Sequence, residues 1–79
     1  MFVITQTNTV LNLNNMTCLD VIKYLNCDKA DIKTKIDNYE FTIYTGTIED
    51  TESAYHNIIE GLIHNATLID FSEHRGTGI

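Results

Sequence analysis

From Asp50 to Asn65 the apolar positions return with the period of a helix. Ala54, Tyr55, Ile58, Ile59, Leu62, Ile63 and Ala66 recur at spacings of three and four, the stripe of an amphipathic helix. Asp50 or Thr51 offers a side-chain oxygen to an orphan N–H of the first turn, and Glu49, Asp50 and Glu52 suit the positive end of the helix dipole. Such a stripe predicts a stable helix only where another layer covers it. Gly61 is the one local oddity, costing about 1 kcal/mol against Ala. It reads either as a close approach or as a neutral surface position.

Upstream the period changes to two. Phe2-Val3-Ile4-Thr5 is β-branched and aromatic and predicts a short strand. Gln6-Thr7-Asn8 is turn-prone, and Thr9 to Leu13 alternates well enough to return as a hairpin partner before Asn14-Asn15 breaks it. Met16 to Cys27 is ambiguous. Leu19, Ile22 and Leu25 fit helical spacing, while Leu19, Val21 and Lys23 alternate with Asp20, Ile22 and Tyr24. The strand reading is preferred, because one long helix needs a sheet wide enough to cover it.

Asn26 to Ala30 reads as a loop. Ile32, Thr34 and Ile36 then alternate with Lys33, Lys35 and Asp37, and Tyr39, Phe41 and Ile43 repeat the pattern after an Asp37-Asn38 turn. This is the clearest hairpin in the chain. Glu40 opposite Lys33 and Lys35 predicts a cross-strand charge pair. Gly46 closes the strand before the helix. Thr67 to Phe71 is a final strand or a pinned extended segment, and 72–79 reads as a flexible tail.

The expected architecture is α+β: an antiparallel meander of about five strands with one C-terminal amphipathic helix packed on one face. All 79 residues form one domain with its core over 2–71. A chain this short has only just enough core to fold alone, so a homodimer is a natural way to gain stability.

Composition narrows function more than it defines it. A net charge of −6 with five Lys and Arg argues against a direct grip on nucleic acid or on an anionic membrane. It permits a partner with a basic surface, or a protein that takes the place of nucleic acid in a groove, beside the plain reading of solubility alone. Cys18 and Cys27 form no CxxC pair and read as reduced thiols of a cytoplasmic protein. No apolar run is long enough for a span, and the sequons at Asn15 and Asn65 are chance matches without a secretion signal.

The run Leu11-Asn12-Leu13-Asn14-Asn15-Met16-Thr17, the strand–Asp37-Asn38–strand order and the helix opening at Thr51-Glu52-Ser53-Ala54 together carry a likeness. Over residues 2–64 the chain resembles small proteins of Gram-positive bacteria and their phages, which have an N-L-D-N-V type turn, a β-meander and a C-terminal helix. Asn14 stands where that group has Asp, and Met16 where it has Val. The resemblance implies the strand reading of Met16 to Cys27 and brings no catalytic residues.

His56, Glu60 and His64 share one helix face, but the two histidines are about 12 Å apart along the axis, too far for one ion. Neither cysteine sits in a nucleophile elbow or beside a basic cluster, and no glycine-rich loop precedes a helix. No catalytic residue, cofactor or metal is therefore assigned. The residues expected to meet a partner are Asp28, Asp31, Glu49, Asp50 and Glu52, as an acidic surface, with Tyr55, Ile59 and Ile63 as the partly exposed edge of the wide helix stripe, unless the sheet curls enough to bury both edges. The leading expectation is an acidic, non-enzymatic protein-binding module, a phage or mobile-element inhibitor of a host protein such as a nucleic-acid-handling defence enzyme. The alternative is an oligomeric binder of a nucleotide or metabolite. Its pocket would be lined by tyrosines with His56 or His64 from two chains, or else Tyr24, Tyr39, Tyr44 and Tyr55 simply sit at the sheet rim with their hydroxyls in water.

Overall fold

The computed structural model describes residues 1–73. The chain is α+β, running β1 (Phe2–Ile4), β2 (Val10–Asn12), β3 (Met16–Tyr24), β4 (Lys29–Ile36), β5 (Tyr39–Gly46), α1 (Ile48–Ile63) and β6 (Leu68–Asp70). The strands make two three-stranded sheets, a large one ordered β3-β4-β5 and a small one ordered β2-β1-β6.

The large sheet is the antiparallel meander that the alternating pattern predicts. Met16 to Tyr24 is a strand, followed by a 3-10 turn at Leu25–Cys27 and a left-handed Asp28 at φ 51°. Lys29 and Ala30, expected in a loop, already belong to β4. Asp37 and Asn38 both take positive φ, 53° and 69°, the conformation whose twist suits a two-residue hairpin turn. Glu40 stands opposite Lys35 in register, yet its carboxylate reaches the diagonal Lys33 at 3.7 Å. A bulge between the pairs Ile32↔Tyr44 and Lys33↔Thr42 gives β5 an extra residue. Ile43 and Tyr44 are consequently both buried although adjacent.

One meander of five strands is not what forms. Asn12 accepts a hydrogen bond from the Asn14 N–H at 3.0 Å and starts a 3-10 turn at Leu13–Asn15. That turn separates β2 from β3, so the first hairpin belongs to its own sheet. The expected final segment completes that sheet: β6 pairs parallel to β1, with Val3 opposite Ile69. The helix is thus followed by a strand and is not the C-terminal element. The flexible tail expected over 72–79 lies, from residue 74 onward, outside the described residues. Ser72 and Glu73 form a turn in which the Ser72 N–H donates to Asp70 at 2.8 Å.

The helix begins two residues earlier than its apolar stripe suggests. Thr47, rather than Asp50 or Thr51, is the cap, its hydroxyl accepting from the Asp50 N–H at 3.1 Å. Thr51 lies inside the helix, fully buried, and donates to the Ala30 carbonyl at 3.2 Å. Thr51, Ala54 and Ile58 form the buried centre of the stripe, packed on β4 and β5. The core joins them to Ile32, Ile43 and Tyr44 of the large sheet and to Val3 and Leu11 of the small one. Phe71 closes this core with its ring edge-on to Tyr44, 5.3 Å between centroids. Gly61 is a close approach, and its neighbours are within the chain: a Cβ there would lie 2.9 Å from Ile69 Cδ1 and 3.1 Å from Met1 Sδ.

Two substitutions separate the forces that hold α1 down. Ile58→Ala should lower the unfolding free energy by about 2–5 kcal/mol through lost burial and an uncollapsed cavity. Thr51→Val keeps the shape and loses one hydrogen bond, and should cost about 1 kcal/mol. Urea titration of the two variants checks both the sizes and their order.

Candidate interaction surface

The five acidic residues gather at one end of the large sheet, because β4 begins where β5 ends. Ala30 pairs with Gly46, which brings the turn at Asp28 beside the first turn of α1 with Glu49 and Asp50. Two of the five are engaged. Asp31 accepts from the Tyr24 hydroxyl at 3.1 Å and the Thr45 hydroxyl at 2.8 Å, and Glu52 makes an ion pair with Lys23. Asp31 also lies on the opposite sheet face from α1, since its neighbours Ala30 and Ile32 are the residues turned inward. Asp28, Glu49 and Asp50 are exposed, and among the described residues no cation forms an ion pair with them.

The edge of the helix stripe is graded. Tyr55 and Ile59 are half-buried, and Ile63 is 63% exposed. Ile59 and Ile63 follow Glu52 by seven and eleven residues and so share its flank. That flank is turned toward β3, because Glu52 holds Lys23 of that strand.

A further apolar exposure is one that charge and helix periodicity did not point to. On the small sheet Val3, Leu11 and Ile69 face the core. Register places Phe2, Ile4, Val10 and Leu68 on the other side, with Asn12 and Asp70. Phe2, Val10 and Leu68 are 46%, 60% and 51% exposed. A sheet with one wet face normally carries polar residues there. The signal was present in Phe2-Val3-Ile4, three consecutive apolar residues in a strand where alternation would allow two.

The remaining chemistry stays dispersed. Glu60 sits between His56 and His64, 3.9 and 3.4 Å from their Nε2 atoms, on an exposed face. Among the described residues no three His, Cys, Asp or Glu converge as a metal set. Both cysteines are free thiols, Cys18 half-buried and Cys27 exposed. Tyr24 and Tyr39 lie at opposite ends of the large sheet and Tyr55 on the helix, so the three line no common pocket. Tyr44 departs from the expected rim position and is buried in the core. Two shallow clefts, of about 310 and 410 Å3, flank Gln6 and Gly61. Among the described residues no helix is long and apolar enough to cross a membrane.

No family model, curated protein or solved structure matches the chain. The likeness drawn over residues 2–64 therefore rests on those residues alone.

Burial, helped by the charge of Asp50, pushes the Tyr44 phenol above its ordinary value of 10.0. The unfolded chain then loses this proton first. The stability tied to Tyr44 is complete below about pH 10 and is lost as pH rises from there through the folded value. Denaturant midpoints measured from pH 8 to about 11 should fall at the alkaline end, and Tyr44→Phe should flatten that fall.

Proposed function

We propose that the chain is a non-enzymatic protein-binding module whose partner covers the outer face of the small sheet. The observation that supports this is the apolar set Phe2, Ile4, Val10 and Leu68 on the side of the sheet away from the core. A contiguous apolar patch on a small domain marks an interaction site more often than scattered single residues do. The flat shape of a sheet face suits a protein surface better than a small ligand, which needs concavity.

The acidic end adds the partner's charge. Asp28, Glu49 and Asp50 project from one end of the large sheet, and the net charge is −6. A partner with a basic surface is steered to such a domain, and the steering weakens as salt screens it. An inhibitor of a host enzyme that handles nucleic acid fits this description, since the basic groove of that enzyme is built for polyanions. The likeness to small proteins of Gram-positive bacteria and their phages, a group of mostly unknown function, suggests the phage setting by analogy alone.

Affinity capture from a Gram-positive bacterial lysate tests it with two variants. Phe2→Thr with Leu68→Lys removes the apolar face at exposed positions. Asp28→Asn with Glu49→Gln and Asp50→Asn neutralises the acidic end. The first should abolish capture of the partner that the wild type retains, with an unchanged circular dichroism spectrum. The second should weaken capture and reduce its loss at about 0.5 M salt. Capture of nothing by the wild type, or equal capture by the first variant, overturns the proposal.

A further inference from the structure

The two sheets leave four strand edges, and three of them are blunted. β2 and β6 are only three residues long. β5 is capped over its last half by Gln6, whose backbone N–H donates to the Ile43 carbonyl at 3.4 Å and whose side chain exchanges two bonds with Thr45, at 2.8 and 3.0 Å, which leaves only the short stretch before the bulge open. The outer edge of β3 is nine residues long, and among the described residues no strand lies beside it. Long open edges are templates for pairing with another chain.

The direction of each β3 backbone group follows by alternation. Ile43 and Thr45 point outward to Gln6, so Tyr44 and Gly46 point inward to their partners Ile32 and Ala30. Asp31 and Lys33 must then point the other way, toward Ile22 and Asp20 of β3. Leu19, Val21 and Lys23 are left with their N–H and C=O groups aimed out of the sheet.

We infer that this edge pairs with a second copy of the chain, antiparallel about a two-fold axis, with Val21 opposite Val21. The axis preserves the sheet faces, so residues opposite one another must differ by an even number of positions. Register irregularity between Met16 and Cys18 limits regular pairing to 18–24, whose midpoint is Val21. This register pairs Leu19 with Lys23, Val21 with Val21 and Lys23 with Leu19, three pairs that each exchange two backbone hydrogen bonds. Moving the midpoint to Asp20 sets two carboxylates face to face, and moving it to Lys23 opposes two ammonium groups. A midpoint at Leu19 draws in the irregular segment, and one at Ile22 loses a hydrogen-bonded pair. The Val21 register avoids all four penalties and places Cys18 opposite Tyr24 and Asp20 opposite Ile22. The result is one continuous six-stranded sheet with both helices on the same face. Their flanks carrying Ile59 and Ile63 turn toward the axis, which gives the exposed Ile63 a place in the dimer.

Sedimentation equilibrium and site-specific cross-linking test this, on a surface separate from the small-sheet face. The wild type should pass from monomer to dimer between about 1 and 200 µM. On a Cys27→Ser background, Asp20→Cys, Ile22→Cys and Tyr24→Cys each place a new thiol on the same sheet face as Cys18. Under oxidised glutathione, Tyr24→Cys should give a covalent dimer through Cys18, while the other two should cross-link at least ten-fold less. A strict monomer over the whole concentration range overturns the dimer. Equal cross-linking in all three variants, or a preference for Asp20→Cys or Ile22→Cys, overturns the register.

Discussion

One apolar core has to serve two sheets that share no strand, and the helix is what makes that possible. Ile58 lies at the centre of the buried stripe, with Thr51 and Ala54 toward the start of α1 and Gly61 one turn beyond it. The stripe covers β4 and β5, while the Gly61 flank meets Met1 and Ile69 of the small sheet. A helix joined to only one sheet would leave the other as a three-stranded ribbon of three-residue strands, too small to be stable alone. The small sheet thus depends on α1 for its inner face, and α1 depends on the large sheet for its own. Neither contact is dispensable in a chain of 79 residues.

Much of this was legible from pattern alone. The β4–β5 hairpin and its Asp37-Asn38 turn followed from alternation and turn chemistry, whereas periodicity left Met16 to Tyr24 ambiguous and the strand was preferred because a long helix there would need a wider sheet to cover it. The helix was legible by its stripe but not by its start, because Thr47 precedes the first apolar repeat and Thr51 presents itself as a polar residue. Only the Ala30 carbonyl, twenty-one positions back, explains why a threonine is buried there. The β5 bulge was not legible: the alternation of Tyr39, Phe41 and Ile43 puts Tyr44 on the opposite face, and only the register shift turns both Ile43 and Tyr44 inward. The parallel pairing of β6 with β1 was not legible. Leu68-Ile69-Asp70 carries no local signal for its partner, and the contact spans almost the whole chain.

Surface chemistry was harder to read, for a different reason. A carboxylate in a sequence is a charge, and only geometry shows whether that charge is already occupied. Asp31 and Glu52 are held by Tyr24, Thr45 and Lys23, which leaves Asp28, Glu49 and Asp50 to define the acidic end. The width of the helix stripe left two outcomes open, an exposed edge or a sheet curled enough to bury both edges, and only the structure shows Ile63 outside with Tyr55 and Ile59 half-buried. The outer face of the small sheet was overlooked because Phe2, Val10 and Leu68 lie in three separate segments. They become neighbours only through the registers of β1 with β2 and of β1 with β6.

The distribution of apolar side chains is therefore unusual for a domain near the lower size limit. Such a domain gains most by turning every large apolar residue inward, at about 25 cal/mol for each Å2 removed from water. Here Phe2, Val10, Ile63 and Leu68 stay outside, while the chain buries Thr5, Thr34 and Thr51. Those threonines are hydrogen-bonded, to Thr9, Cys18 and Ala30, so their burial is not a packing fault. The exposed residues have no comparable internal partner. Among the described residues, Phe2, Val10 and Leu68 share the outer face of the small sheet and Ile63 lies on the helix flank, while Ile22, Tyr24, Leu25 and Tyr39 are exposed on the large sheet and its turns, and the open edge of β3 lies beside the helix flank.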